Sequence, residues 1–340
     1  MLFFLNDYGD GAHPKVLDAL VKTNYEYTLG YGEDKYCIKA KKIIREKLNC
    51  KNADIHFLVG GTQTNLITIS HILKPYEAVI ACNTGHISVH ETGAIEATGH
   101  KIIEVPGKDF KVTVEDIKTE LKKHESFHMV KPKLVFISNT TELGGIYTKK
   151  ELEKLSKVCR ENDLYLFLDG ARISSAIACE KSDLELKDYA KYCDAMYFGG
   201  TKSGLLFGEA VILINDKIKE NFKFYTKQRG GLLAKGRLLG IQFIELFKNN
   251  LYLKIGEHSN KMAMKMKKAL VEKGIELVSD TYTNQIFVYL NDEKIKKLSK
   301  KVLFTVDFCP NRDEKIVRFV TSWGTKEEEV DKFIEIIKKM

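Results

Sequence analysis

Seven short runs rich in β-branched and aromatic residues, at 55–59, 78–81, 101–105, 133–138, 164–168, 195–198 and 210–214, constrain the fold of this chain more than any other feature. Between them, segments at 63–73, 88–97, 114–123 and 149–161 repeat Leu, Ile and Val at three- and four-residue spacing, the period of an amphipathic helix. Strand and helix in alternation predict an α/β fold, a mostly parallel sheet covered by helices on both faces. After Asn215 the texture changes to Lys-rich helices at 216–227 and 237–249 and a Met-rich helix at about 252–273. Strands at 276–278, 283–290, 302–306 and 315–321 and a closing helix at 326–339 follow. The expected organisation is a large domain over 1–250, including the N-terminal segment, and a smaller α+β domain over 251–340.

The 340 residues exceed the roughly 250–300 at which one hydrophobic core stops growing, which agrees with that division. Lys+Arg 54 against Asp+Glu 46 gives a net charge of +8, but the lysines are spread over helical faces, so no nucleic-acid partner is expected. The seven cysteines are odd in number and never form a Cys-x-x-Cys pair, which argues for reduced thiols and against a zinc site or a disulfide framework. Only Met1 to Leu5 open the chain as an apolar run, without a basic leader, and no stretch approaches a membrane span. A cytoplasmic protein is expected, with no membrane partner.

In an open α/β sheet, ligands sit beyond the carboxyl ends of the strands, and four of those ends are polar or glycine-rich. The first reads His56-Phe-Leu-Val-Gly60-Gly-Thr-Gln-Thr-Asn65. It runs into a helix, so the N–H groups of Gly61, Thr62 and Gln63 face outward, an arrangement that binds phosphate but that an ordinary capped glycine turn also produces. The second, Tyr165-Leu-Phe-Leu-Asp169-Gly-Ala-Arg172, ends in a carboxylate suited to a heterocyclic nitrogen or to a helix cap, with an arginine suited to an anion. The third, Phe198-Gly-Gly-Thr-Lys202-Ser-Gly204, places a lysine among glycines and hydroxyls, as a nucleophilic amine or a solvated loop residue. The fourth, Cys82-Asn-Thr-Gly-His86, sets a histidine just past a strand, over a ligand or hydrogen-bonded in its loop.

Together, a phosphate turn, a strand-end Asp and a strand-end Lys about 30 residues later have the order and chemistry that pyridoxal phosphate needs. The phosphate would sit on the Gly60–Thr62 turn, Asp169 would keep the ring nitrogen protonated, Lys202 would bond the aldehyde carbon and His86 would stack on the ring. Competing motifs are missing: there is no Gly-x-Gly-x-x-Gly, no P-loop, no Gly-x-Ser-x-Gly, and His90-Glu91 lacks the second histidine of a zinc protease, so no metal is expected.

These residues make the chain resemble the fold-type-I pyridoxal-phosphate enzymes and, within them, the threonine aldolase or β-eliminating lyase family. The resemblance covers nearly the whole chain, through Asn6-Asp7, Tyr31-Gly-Glu-Asp34, Val59-Gly-Gly-Thr-Gln-Thr-Asn65, Gly85-His-Ile87, Glu91-Thr-Gly-Ala94, Leu168-Asp-Gly-Ala-Arg172, Thr201-Lys202 and Val317-Arg-Phe-Val-Thr321. It implies an aspartate aminotransferase-like large domain and catalytic roles for Lys202, His86 and Asp169. It further implies a cofactor site of Gly61, Thr62, Gln63, His86, Asp169, Arg172 and Lys202, and a substrate site of Asn6, Tyr31, Arg172 and Arg318. The implied activity is cleavage of a β-hydroxy-α-amino acid (threonine, allo-threonine or phenylserine) to glycine and an aldehyde. Another pyridoxal-phosphate β-eliminating lyase or an aminotransferase would use the same Lys202 and Asp169, and a non-catalytic binding protein would keep the same fold. Threonine-cleaving members carry Glu-Asn-Thr-His after the fourth strand, where this chain reads Ser138-Asn-Thr-Thr141-Glu142, so the resemblance is to the phenylserine aldolase-like branch. The resemblance also implies a homodimer or homotetramer, in which the basic loop Lys227 to Arg237 approaches the cofactor phosphate of the adjacent subunit and the Tyr31 loop lies at the same interface. The Met-rich helices point the same way, as apolar surface in excess of what a monomer buries.

Overall fold

The computed structural model describes residues 1–309 and 312–340. The short strand β1 (Leu2–Phe3) opens the chain. The next strands, β2 (Asp54–Leu58), β3 (Glu77–Cys82), β4 (Ile102–Val105), β5 (Lys131–Ser138), β6 (Tyr165–Asp169), β7 (Ala195–Gly199) and β8 (Glu209–Leu213), form a seven-stranded sheet in the order β2-β8-β7-β6-β5-β3-β4. Its pairs are parallel except those of β8, which runs antiparallel to both β7 and β2. The segment 200–208 between β7 and β8 is too short for a crossover, so the chain must turn straight back, and Lys202 lies in that hairpin. Side chains alternate across the sheet, with Ala210 and Ile212 in one apolar core beside Ile44, Leu152 and Phe243, and Val211 and Leu213 in the other beside Ile67, Ile95 and Phe222.

Helices Val114–Lys123 and Lys149–Glu161 begin where expected, because Thr113 with Asp116 and Thr148 with Glu151 form reciprocal capping boxes. The helix expected over 88–97 does not form. A short helix His86–Val89 is broken by left-handed Thr92 (φ 52°) and Gly93 (φ 69°), and a single tight turn, Glu96–Thr98, follows. The helix expected over 216–227 is likewise split by left-handed Asn221 (φ 65°), and resumes as Phe222–Gln228. Helices Pro14–Lys22 and Lys35–Lys47 join the elements that sequence periodicity picked out.

The smaller unit is built on β9 (Gln285–Leu290), β10 (Val302–Leu303), β11 (Thr305–Asp307) and β12 (Lys315–Val320), of which β11, β12 and β9 form an antiparallel sheet. β10 pairs in parallel with β1, and the Phe4 ring packs edge-on against Phe333 with centroids 5.4 Å apart. Strand β1 and Phe4 thus pack with the smaller unit, whose apolar core Leu2 and Phe4 help to fill. Helix Leu251–Glu272 serves both units: Leu251, Tyr252 and Ile255 lie in the large core, and Met262, Met266 and Leu270 in the small one. A Cβ on Gly256 would lie 2.1 Å from the Ser174 carbonyl oxygen, so only glycine lets this helix press against the segment that follows Arg172. We propose a division near residue 250 with the N-terminal strand assigned to the smaller unit. Among the described residues no helix is long and apolar enough to cross a membrane.

Candidate active site

The carboxyl ends of β2, β3, β5, β6 and β7 and the start of β8 open on one side of the sheet. Parallel pairing of Phe167 with Ala195 and Leu168 with Met196 sets Tyr197 level with Asp169. The Tyr197 hydroxyl donates to Asp169 Oδ1 at 2.5 Å, the Ala171 N–H donates to the same oxygen at 2.9 Å, and Asn65 Nδ2 donates to Oδ2 at 3.2 Å. Asp169 is thus a buried acceptor served by three donors, well able to carry negative charge. The Asn65 amino group also donates to Glu91 Oε1 at 2.7 Å, and that oxygen lies 2.8 Å from His86 Nδ1. With Glu91 accepting, the histidine carries its proton on Nδ1 and presents a lone pair at Nε2.

Helix Gly61–Ile72 starts at Gly60 with no side-chain cap, so the N–H groups of Gly61, Thr62 and Gln63 have no helical acceptor. A Cβ on Gly60 would meet nothing within 4 Å, and one on Gly61 would lie 3.3 Å from the Tyr197 hydroxyl, so this turn opens over the Tyr197–Asp169 pair. Gln63 Nε2 donates to the Arg229 carbonyl at 3.4 Å, which rests the basic loop against the turn of its own chain.

Lys202 sits in a hairpin closed by the Gly208 carbonyl, which accepts from Gly200 N at 2.9 Å and Thr201 N at 3.1 Å. It keeps partial exposure, yet burial, followed by the positive Arg172, lowers its pKa against the pull of Asp7 and Asp169. Arg172 is committed to Asp7, with Nε donating to Oδ2 at 2.6 Å and Nη2 to Oδ1 at 3.1 Å. Asn284 Nδ2 donates to the same carboxylate at 2.9 Å. Burial raises the Asp7 pKa, but Arg172 and Lys202 outweigh it and hold the carboxyl below its usual range. The side-on Nε/Nη2 edge of the guanidinium is therefore taken by Asp7, and only its Nη1 hydrogens and the second Nη2 hydrogen remain for a ligand.

Arg318 reaches the same space from β12, its Nε donating to Thr305 Oγ1 at 3.1 Å; burial, then repulsion from Arg172, lowers its pKa. Two like charges facing one cleft suit a carboxylate ligand. Asn6 lies beside Asp7 with its Oδ1 accepting from Tyr8 N at 3.1 Å. Tyr31 is not brought to this cleft. It lines an outer groove of about 550 Å³ with Lys223, Phe224 and Leu232, with Lys227 Nζ 4.5 Å above its ring.

Thr141, at the position where a histidine was missed, braces its own turn, its Oγ1 accepting from Gly145 N at 2.9 Å. Next to it, Glu142 accepts from Ser138 Oγ at 2.7 Å and from His86 N at 2.9 Å, and burial raises its pKa. Asp7, Asn65, Glu91, Glu142 and Tyr197 escaped the sequence reading as site residues, because their pairings join different strand ends. His90 also escaped it, although its ring lies 5.5 Å from that of His86 and the four-residue spacing was visible.

Residues 11–293 match the family model described as Beta-eliminating lyase. The chain is 30% identical over 96% of its length to the low specificity L-threonine aldolase of Pseudomonas sp. (strain NCIMB 10558), covering 94% of that protein. The solved structure of Leishmania major threonine aldolase is 49% identical with a TM-score of 0.98, over 100% of this chain and 99% of that one. A mutant of Thermus thermophilus aspartate aminotransferase, 15% identical with a TM-score of 0.74 over 100% and 91% of the two chains, shares the fold. A model match over most of the sequence, on a sheet whose strand ends gather this lysine, aspartate and histidine, makes the chain a member of the beta-eliminating lyase family.

Proposed function

We propose that the chain is a pyridoxal-phosphate-dependent aldolase that cleaves β-hydroxy-α-amino acids to glycine and an aldehyde. The observation that carries this is the meeting of Lys202, Asp169 and His86 around an uncapped helix N-terminus, in a chain whose relatives are named threonine aldolases. The residues fit the cofactor: the free N–H groups of Gly61, Thr62 and Gln63 suit its phosphate, Lys202 its aldehyde carbon, Asp169 its ring nitrogen and His86 its ring face. Bound there, pyridoxal phosphate supplies an electron-withdrawing ring conjugated to the substrate's α-carbon. Arg172 Nη1 and Arg318 hold the substrate carboxylate, with Asn6 alongside. His86 Nε2, its lone pair fixed by Glu91 on the other nitrogen, accepts the β-hydroxyl proton as the Cα–Cβ bond breaks. Incubation with L- and D-threonine, allo-threonine and phenylserine tests the reading. Glycine and an aldehyde in equal amounts are expected, whereas keto acid or ammonia without glycine would replace it with a transaminating or eliminating enzyme.

The Thr141 Oγ1 faces its own turn, where it accepts from Gly145 N, so the substrate side chain is recognised more by packing than by that position. Phenylserine should therefore show a higher kcat/KM than threonine. Burying a phenyl group contributes about 1.5–3 kcal/mol, against about 0.5–1.5 kcal/mol for one hydrogen bond. Steady-state kinetics on both substrates checks this, and a strong threonine preference would refute it.

The same reading takes the chain to be a homodimer or homotetramer. The Met-rich helix gives no support, since Met262 and Met266 are 1% and 0% exposed within the chain. Nor is Arg237 free for a neighbour's phosphate, because it donates to the carbonyls of Thr23 and Glu26. The support is exposed aromatic surface: Phe224, 74% exposed, lines the Tyr31 groove, and Tyr25 and Tyr27, 92% and 103% exposed, stand on the segment that leads to Tyr31. Covering that surface with a second copy would bring Tyr31 to the partner's site and give it a substrate role. Light scattering at low micromolar concentration should give at least a dimer, and an active monomer would remove Tyr31 from the site. A cytoplasmic location goes with this reading, as all seven cysteines are unpaired.

A further inference from the structure

Beneath the hairpin that carries Lys202 lies a carboxyl group with no part in the chemistry above. Glu209, the first residue of β8, pairs through its backbone with Gly199 on one side and Leu58 on the other. It therefore sits where β7 gives way to the Lys202 hairpin and β2 to the Gly60–Gln63 turn. It is 4% exposed, and its Oε2 accepts from Gly200 N at 3.1 Å, two residues before Lys202. Alternation along β8 turns it to the sheet face of Val211, Leu213 and Tyr197. The polar groups facing it are Thr201 and Lys202 from the hairpin, Asp169 from β6, Tyr197 from β7 and Tyr252 from helix Leu251–Glu272, while β2 offers only the apolar Leu58. Among the described residues it has no salt bridge within 4.0 Å. A buried carboxylate without an ion pair is costly, and more so beside the Asp169 carboxylate.

We propose that Glu209 works as an uncharged carboxylic acid, a positioning residue that holds the Lys202 hairpin through Gly200 and keeps a second negative charge away from Asp169, leaving Lys202 a neutral amine able to bond a carbonyl carbon. The directions of the titrations agree. Burial pushes the Glu209 carboxyl up to about 8, with Asp169 adding to it and Thr201, Lys202 and the Gly200 N–H opposing it. Below that pH the group is neutral and exerts no pull on Lys202. Above it, the carboxylate stabilises the Lys202 ammonium and works against the amine. The inference rests on the reading of Lys202 as the lysine that bonds the cofactor.

The test compares the parent and Glu209→Gln, both loaded with pyridoxal phosphate, by visible absorbance and infrared difference spectra across neutral and alkaline pH. Glutamine copies the shape of the neutral acid and cannot ionise. The parent should show a step in its visible band near pH 8 and, at neutral pH, the carbonyl stretch of a protonated carboxyl that fades through the same step. Glu209→Gln should keep its visible band and lack both. A folded Glu209→Gln protein that no longer binds the cofactor would overturn the proposal, as would a parent with no protonated carboxyl at neutral pH or a step that survives the substitution. If Glu209→Gln does not fold, the parent and Glu142→Gln, both carrying isotope-labelled glutamate, still decide: a glutamate stretch at neutral pH that persists without Glu142, the other buried glutamate whose carboxyl burial pushes up, belongs to Glu209, and its absence overturns the proposal. Product assays are separate: no glycine from any β-hydroxy amino acid would remove the aldolase reading without altering the infrared result.

Discussion

Lys202→Ala should lower glycine release by roughly 10³-fold or more while the protein melts like the parent. The side chain has no salt bridge among the described residues and lies in a hairpin, so its loss opens no core cavity. Burial and Arg172 already disfavour its ammonium, so no ion pair is lost with it, and stability should hold or rise slightly. The chemical loss is of a different order, because on the proposed reading this amine would hold the cofactor's aldehyde carbon and exchange with the substrate's amino group. The variant should purify without the borohydride-sensitive visible band of the parent, and a small primary amine added to the assay should restore part of the turnover. Parent-like turnover without that amine would remove Lys202 from the chemistry.

The strand ends were legible because one-dimensional signals mark them. An apolar run that stops at Asp169, or a glycine pair before Lys202, announces a buried strand meeting a polar edge, and the structure places these residues on one side of one sheet. The hand of β8 was not legible from its composition, since a central strand is apolar whichever way it runs; only the shortness of 200–208 carries that information. The break after His86 was hidden for another reason. Apolar spacing continues across Thr92 and Gly93, and what ends the helix is the left-handed pair that follows Glu91. Asp7 shows the limit most clearly. Its neighbour Asn6 was read as the ligand residue, yet Asp7 holds Arg172 from 165 positions away, a contact that no local pattern reports. Whether an arginine is free for a substrate or already paired depends on which carboxylates the fold brings to it, and the N-terminal segment does so by pairing β1 with the small unit.

Asp169→Ala should cut turnover by about 10²-fold or more and weaken cofactor retention, as seen in the visible band after gel filtration. A carboxylate with both oxygens served by donors can still attract the proton of a heterocyclic nitrogen, and alanine leaves nothing to hold that proton in place. The substitution also strands the Tyr197 hydroxyl, the Ala171 N–H and one direction of the Asn65 amino group, and each unsatisfied buried donor costs about 1–3 kcal/mol, so some loss of melting temperature is expected with the loss of rate. Tyr197→Phe separates the two effects. It removes one donor, leaves Ala171 N and Asn65 on the carboxylate, and strands no group, since the lost partner is itself the substituted hydroxyl. A hydrogen bond to a charged group contributes about 1.5–3 kcal/mol, so Tyr197→Phe should lose roughly tenfold to a hundredfold in kcat with little change in melting temperature. Asp169→Glu should recover part of the alanine variant's rate, because it restores the charge at a displaced position. If Asp169→Ala and Tyr197→Phe both turn over at the parent rate, the carboxylate braces the Asn65–Glu91 contact and His86, and the electron demand of the reaction is met without it.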